Sequence, residues 1–240
     1  MKKREFKYYG KGIPYFKEKT YTGRLIVVEG ADCSGRSTQM YLLRNWLESE
    51  GHAVADIGLS RSNLIGDAIQ QAKKGHTLGK KTLSLLYATD FADQLENKIL
   101  PALKAGFIVL ADRYIFTLMA RDMARGASKE WLEKMYGFAP VPDLVFYLKV
   151  DAQILLYRAL EKYQTLDYWE SGMDLSLSND IFESFQIYQR LIADYFNQMA
   201  LDFGFVTLDG DENPVIIQEK IRGYIKRYLD EGEIESCASK

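Results

Sequence analysis

The chain is poor in the residues that staple small folds or bind metals. It has two cysteines, Cys33 and Cys237, and two histidines, His52 and His76, in 240 residues. Two distant cysteines make no disulfide framework. Two isolated histidines argue against a His-based zinc site and against a Ser-His-Asp triad. An excess of one charge is also missing: 31 Lys+Arg stand against 33 Asp+Glu, a formal net charge of −2. That balance argues against wholesale electrostatic binding to nucleic acid or to a membrane surface. Apolar runs are short, as at Phe107–Ala111, and none approaches the roughly 20 residues of a membrane span. The basic start, MKKREFKYYGKGIPYF, has no apolar segment behind it and does not read as a secretory signal. Cys33 in a chemically loaded loop fits a reducing compartment, and a cytoplasmic location is the default expectation.

The hydrophobic share is 47%, which supports one sizeable core rather than disorder. Residues 1–22 carry Lys2, Lys3, Arg4, Lys7, Tyr8, Tyr9, Lys11, Tyr15 and Phe16 without periodicity. They read as an extension, either an arm packed on the body or one that binds anions or a partner. From Leu25 onward the pattern is regular. Short apolar runs predict strands at Leu25–Gly30, Ala53–Ile57, Phe107–Ala111, Leu144–Val150 and Phe205–Leu208. Helical periodicity predicts a helix through Met40, Leu43 and Leu47 capped by Gly51. It predicts a long one over Lys80–Lys104, broken by Pro101. Further helices are expected around Thr117–Arg125, Lys129–Phe138, Ala152–Tyr163, Ile181–Phe203 and Pro214–Tyr228. Ser171–Asn179 reads as a loop or flap, and residues 230–240 as a polar tail. Strands alternating with helices call for an α/β fold with a mostly parallel sheet covered on both faces. With no repeat and no linker, one domain over residues 23–229 is expected.

The strongest local signal is Gly30-Ala31-Asp32-Cys33-Ser34-Gly35-Arg36-Ser37-Thr38. It has the phosphate-loop spacing G-x-x-x-x-G-K-[ST], with Arg36 where Lys is usual. Gly30 and Gly35 permit backbone angles and close approach that a side chain blocks. Successive N–H groups then cradle phosphate oxygens, and the dipole of the following helix favours the same anion. Ser37 is the candidate Mg²⁺ ligand. The loop follows a buried strand and opens an amphipathic helix, which is the setting the chemistry requires. Arg36 keeps the positive charge but is planar and forked. It can neutralise β/γ-phosphate charge with altered geometry, or hold phosphate well and support transfer poorly.

Several segments in order resemble the thymidylate kinases, a P-loop family. EGADCSGRSTQ resembles that family's EG-x-D-x-x-GK[ST]TQ loop. Ala111–Tyr114, ADRY, resembles its DR[YH] motif. PDLVFYLKV at Pro142–Val150 and LLYATDFADQ at Leu85–Gln94 resemble its fourth strand and its base-stacking helix. The resemblance covers about residues 24–228. It implies the P-loop three-layer fold, with a five-stranded parallel sheet, two nucleotide sites and a mobile lid. It further implies ATP and Mg²⁺, a nucleoside monophosphate acceptor with dTMP the default, and a homodimer.

Residue by residue, the resemblance makes Asp32 the carboxylate that reaches the acceptor sugar; a loop Asp also accepts local N–H bonds. Arg113 matches the guanidinium that grips the acceptor phosphate, with Tyr114 beside it, against a structural ion pair. Arg61 matches a second acceptor-phosphate Arg, with a solvated loop Arg as its rival. Tyr87 matches the aromatic that stacks on the acceptor base, although such an aromatic is also often core. Arg158 matches an Arg near the donor adenine, against a plain surface Arg. The catalytic set is therefore Arg36, Arg113 and Asp32, and residues 30–38 with Arg158 form the donor set.

Beside Arg36, three further positions depart from the family pattern, and Arg36, Phe91 and Tyr168 together motivate a degenerate site. Phe91 occupies the place of the Arg that reads the thymine carbonyl, and a Phe cannot donate that bond. Cys33 stands where some members carry a loop Arg. Tyr168, in Asp167-Tyr168-Trp169-Glu170, replaces the Arg of the lid segment. Between Asp151 and Asp180 the only cations are Arg158 and Lys162. Because a cation at the transition state is worth roughly 10³–10⁵ in rate, two alternatives stand beside the kinase. One is a nucleotide-binding regulatory protein with a degenerate site. The other is a kinase with another donor, such as polyphosphate, or a non-thymine acceptor.

Overall fold

A computed structural model describes residues 3–17, 19–75 and 78–231. His76, Cys237, Lys2 and the polar tail from residue 232 lie outside the described residues. Among the described residues the strands are β1 (Arg4–Glu5), β2 (Thr20–Tyr21), β3 (Arg24–Gly30), β4 (Val54–Gly58), β5 (Ile108–Asp112), β6 (Leu144–Lys149) and β7 (Val206–Asp209). The α-helices are α1 (Arg36–Ser49), α2 (Gly66–Gly75), α3 (Lys80–Gln94), α4 (Leu100–Lys104), α5 (Ile115–Ala124), α6 (Lys129–Met135), α7 (Ala152–Tyr163), α8 (Ile181–Phe203) and α9 (Pro214–Glu231).

The main sheet has five parallel strands in the order β4-β5-β3-β6-β7, flanked by helices. All seven residues of β3 are buried, as are the first four of β5 and the first five of β6. Continuous apolar runs are what strands covered on both faces require. The register sets Gly58 opposite Asp112 and Lys149 opposite Asp209, so these four residues close their strands at the carboxyl end. Ligands collect at that end in open α/β sheets.

The chain forms two compact units. One comprises residues up to Val27 with Arg44–Leu144; the other comprises Val28–Leu43 with the chain from Val145 onward. In the first, the N-terminal arm builds an antiparallel ribbon, Arg4 opposite Tyr21 and Glu5 opposite Thr20. Phe6 stacks on Tyr21 at 4.4 Å and meets Phe16 edge-on at 5.2 Å, giving the arm an aromatic core. Arg4 pairs with Asp143 at 3.0 Å, and the other oxygen of that carboxylate accepts the Leu25 amide at 2.7 Å. In the second, Tyr147 stacks on Phe196 at 4.8 Å, fixing α8 against β6.

The expected break at Pro101 does not occur. The helix continues to Lys104 through a π-helical turn at Leu95–Ile99. There the Leu100 amide bonds the Leu95 carbonyl, which shifts the ladder by one residue. Pro101 then falls in the first turn of α4, where a missing N–H is tolerated. The helix α2 and the N-terminal ribbon were not expected from periodicity.

Candidate active site

In the second unit, β3 ends at Gly30 and α1 opens at Arg36. A Cβ on Gly30 would sit 2.7 Å from Ser34 Oγ and 2.9 Å from the Leu148 carbonyl oxygen, and φ there is +150°. Only glycine lets the loop turn this close to β6. Cys33 adopts a left-handed φ of +65° and Gly35 of +92°, which curls the loop back towards the helix. The Gln39 amide donates to the Gly35 carbonyl at 3.1 Å. Amides of residues 36–38 precede it and belong to the first turn, where helix N–H groups have no intrahelical partner. Gly35, Ser37 and Thr38 are exposed. A rim of outward amides at a helix N-terminus fits an anionic phosphate chain.

Arg36 is only 7% exposed, and one terminal nitrogen lies 3.3 Å from the Asp32 carboxylate, an i,i+4 ion pair inside the loop. Cys33 is half-buried against Val150, Leu155, Leu156, Ala159 and Phe185, with Ala31 beside it. Burial, then the Asp32 carboxylate, pushes its thiol pKa up, so it stays protonated and is a poor nucleophile. Ser34 is buried, and its hydroxyl makes no hydrogen bond among the described residues. Arg158 donates to the Gly210 carbonyl at 3.1 Å and pairs with Asp211 at 3.2 Å. A Cβ on Gly210 would meet Val150 Cγ2 at 2.4 Å, so the turn after β7 packs tightly beside β6.

The lid-like segment is acidic and aromatic. Asp167 caps its own turn, accepting the Trp169 and Glu170 amides at 2.9 and 3.0 Å. The turn docks on α8: Ser184 donates to the Ser171 carbonyl and Gln189 to the Glu170 carbonyl. Tyr168 meets Trp169 edge-on at 5.5 Å.

In the first unit, β5 delivers Asp112 and then Arg113, whose φ of +72° is left-handed. A non-glycine residue held there costs about 1–3 kcal/mol and persists only where its neighbours over-determine it. Tyr114 supplies one constraint. It is buried, and its hydroxyl donates to the Pro140 carbonyl at 2.8 Å. Arg61 donates to Asp112 at 3.2 Å and to the Ile57 carbonyl at 3.4 Å. Its guanidinium lies over Gly58, where a Cβ would come within 2.9 Å of it. Arg61 and the Asp112–Arg113 pair are therefore brought together, one through its carboxylate neighbour.

Tyr87 is buried and Phe91 is 4% exposed. Phe91 sits among Tyr114, Tyr136 and Phe138 at ring distances of 5.1, 6.3 and 5.7 Å. The position that departs from the family pattern thus fills an aromatic core behind the DRY segment. The buried Tyr136 hydroxyl finds no partner among the described residues.

Sequence reasoning missed Asp90. It is fully buried and accepts the Ser60 and Ser62 amides at 2.9 Å each and the Gln94 side chain at 2.9 Å. Asp93 accepts the Ser62 hydroxyl at 2.6 Å, and Lys98 donates to the Arg61 carbonyl at 2.7 Å. One helical stripe, 90-93-94-98 across α3 and the π turn, grips the Arg61 loop. Two acids three residues apart in an apolar helix were the available signal. Gly210 was missed as well; its signal was the turn-rich Asp-Gly-Asp after the last strand. Among the described residues no group of three or more His, Cys, Asp or Glu is placed to hold a metal. The single hydroxyl of Ser37 suits Mg²⁺, which takes few protein ligands and completes its shell with phosphate oxygens and water.

A family model described as thymidylate kinase matches residues 28–221. The chain is 37% identical over 212 residues to a probable thymidylate kinase 2 of Saccharolobus solfataricus, covering 87% of this chain and 98% of that protein. It is 29% identical over 210 residues to a thymidylate kinase of Thermosipho africanus, covering 85% and 98%. A probable thymidylate kinase of Pyrococcus abyssi is 36% identical over 132 residues, covering 52% and 64%.

Proposed function

Because the chain belongs to the thymidylate kinase family, we propose that it moves the γ-phosphoryl group of ATP to dTMP, giving ADP and dTDP. An oxygen of the acceptor phosphate attacks the γ-phosphorus, and the bond to the β–γ bridging oxygen breaks. A phosphate monoester oxygen is already nucleophilic at neutral pH, so no tuned general base is needed. The work left to the protein is positioning and neutralisation of charge.

Residues 30–38 hold the donor phosphates through amides and helix dipole. Arg36 exchanges its Asp32 contact for phosphate oxygens, for which its fork is suited. Ser37 would hold Mg²⁺, which when bound would supply neutralisation of phosphate charge. Arg158 flanks the donor base. Arg113 and Arg61 hold the acceptor phosphate, Asp32 the acceptor sugar, and Tyr87 the base, with Phe91 and Tyr114 shaping the pocket wall. Residues 23–229 form the kinase domain, residues 1–22 are an extension, and 230–240 a tail. The assembly is a homodimer working in the cytoplasm. No described helix is long and apolar enough to cross a membrane.

The observation that carries the reading is the loop at Gly30, whose glycine is enforced by Leu148 and Ser34 and which delivers the first-turn amides of α1. Incubating the protein with MgATP and dTMP and resolving the nucleotides tests it. Formation of dTDP is expected; no turnover of any monophosphate by folded protein at saturating MgATP overturns it.

A further inference from the structure

Resting on that assignment of Arg113, we infer that the N-terminal arm is a positioning element for the acceptor site, acting through Tyr9 and Gly10. The family match begins at residue 28, so the arm lies outside the matched stretch. It is nevertheless wired to the DRY segment by two routes.

One route is backbone. The arm runs antiparallel to residues 137–141, with Tyr8 bridged to Pro140. The Val141 amide donates to the Lys7 carbonyl at 2.8 Å, the Tyr9 amide to Ala139 at 3.1 Å, and the Gly10 amide to Gly137 at 2.9 Å. Pro140 is the residue whose carbonyl receives the Tyr114 hydroxyl. Arm, 137–141 segment and Tyr114 are therefore three successive layers, and Tyr114 follows the left-handed Arg113 directly. The second route is side chain. The Tyr9 ring meets Phe116 edge-on at 5.8 Å and 80°. Phe116 is fully buried in the first turn of α5, whose N-cap is Tyr114.

The fit is close enough to be functional. A Cβ on Gly10 would lie 2.9 Å from the Gly137 Cα, so even a methyl group forces the two backbones apart. Arg113 keeps an unfavourable backbone conformation only while its surroundings insist on it. Loosening the arm frees the Pro140 segment, then the Tyr114 anchor, and lets the guanidinium drift. Misplacement by about 1 Å can lower a rate by around 10²-fold.

Tyr9→Leu removes the ring contact, Gly10→Ala pushes the backbones apart, and Tyr9→Phe keeps the ring. Steady-state kinetics with each substrate varied in turn is the readout. Both disruptive variants are expected to lose at least about tenfold in kcat/KM for dTMP, with KM for ATP within about twofold of the parent. Tyr9→Phe should restore the parental value. Unchanged acceptor kinetics in Gly10→Ala, or equal losses for both substrates, would overturn the inference. If Tyr9→Leu fails to fold, Gly10→Ala and amide hydrogen exchange on the parent protein decide: dTMP should slow exchange at Tyr9 and Val141 more than ATP does, and no difference counts against it. A parent protein that turns over no monophosphate brings down the kinase reading itself, and this inference with it.

Discussion

Asp90 holds Arg61 in place without touching it. Its two carboxylate oxygens accept the amides on either side, Ser60 and Ser62, each at 2.9 Å, from a fully buried position on α3. Ser60 itself is left-handed, with φ +56°. The helix proposed to carry the acceptor-base aromatic therefore also shapes the loop proposed to carry an acceptor-phosphate guanidinium.

Asp90→Asn keeps the shape but turns an NH₂ towards one of those amides. An unsatisfied buried donor costs about 1–3 kcal/mol. The variant is expected to lose that amount of unfolding free energy and to raise KM for dTMP more than KM for ATP. Chemical denaturation with paired kinetics checks both halves.

Arg36 stands where a Lys is usual, and its fork already spans to Asp32 at 3.3 Å. If it is an adapted phosphate ligand, Arg36→Lys loses the forked geometry while keeping the charge. A fall in kcat of about tenfold is expected, by loss of one charge-assisted hydrogen bond. A rise in kcat would favour a site degenerate at this position.

Asp122 accepts the Ser84 hydroxyl, joining α5 to α3. Burial pushes its carboxyl pKa up, opposed by that hydrogen bond and by Arg125 and Arg121. The folded protein thus keeps this proton to higher pH than the unfolded chain. Where the folded state binds more protons, stability falls as pH rises, from the ordinary carboxyl range through the raised value. Asp122→Asn cannot ionise, so its Tm relative to the parent should climb as the pH rises from the ordinary carboxyl range through the raised value. A pH-independent difference in Tm contradicts this.

What could be read from the sequence was whatever short-range chemistry decides. The bounds of α7 and α8 follow from their caps: Asp151 accepts the Gln153 amide, Asp180 the Phe182 and Glu183 amides, and Gly204 ends α8 at φ +69°. The strands β3, β5 and β6 were legible as buried apolar runs, the edge strands β4 and β7 from shorter and partly exposed ones, and the phosphate loop from glycine spacing. The rest depends on partners distant in sequence. The helix α2 is polar except for a few positions such as the fully buried Ile69, so its periodicity is faint. The arm ribbon is set by Asp143 and Gly137, more than a hundred residues away. Phe91 reads as a lost donor in sequence, whereas its burial among three aromatic rings is visible only in the fold.

The most direct measurement follows the phosphorus. With ATP labelled at the γ position, Mg²⁺ and dTMP, the account predicts label in the β-phosphate of dTDP and an equal amount of ADP. Label released only as inorganic phosphate, or retained in ATP while the folded protein binds both nucleotides, would contradict it.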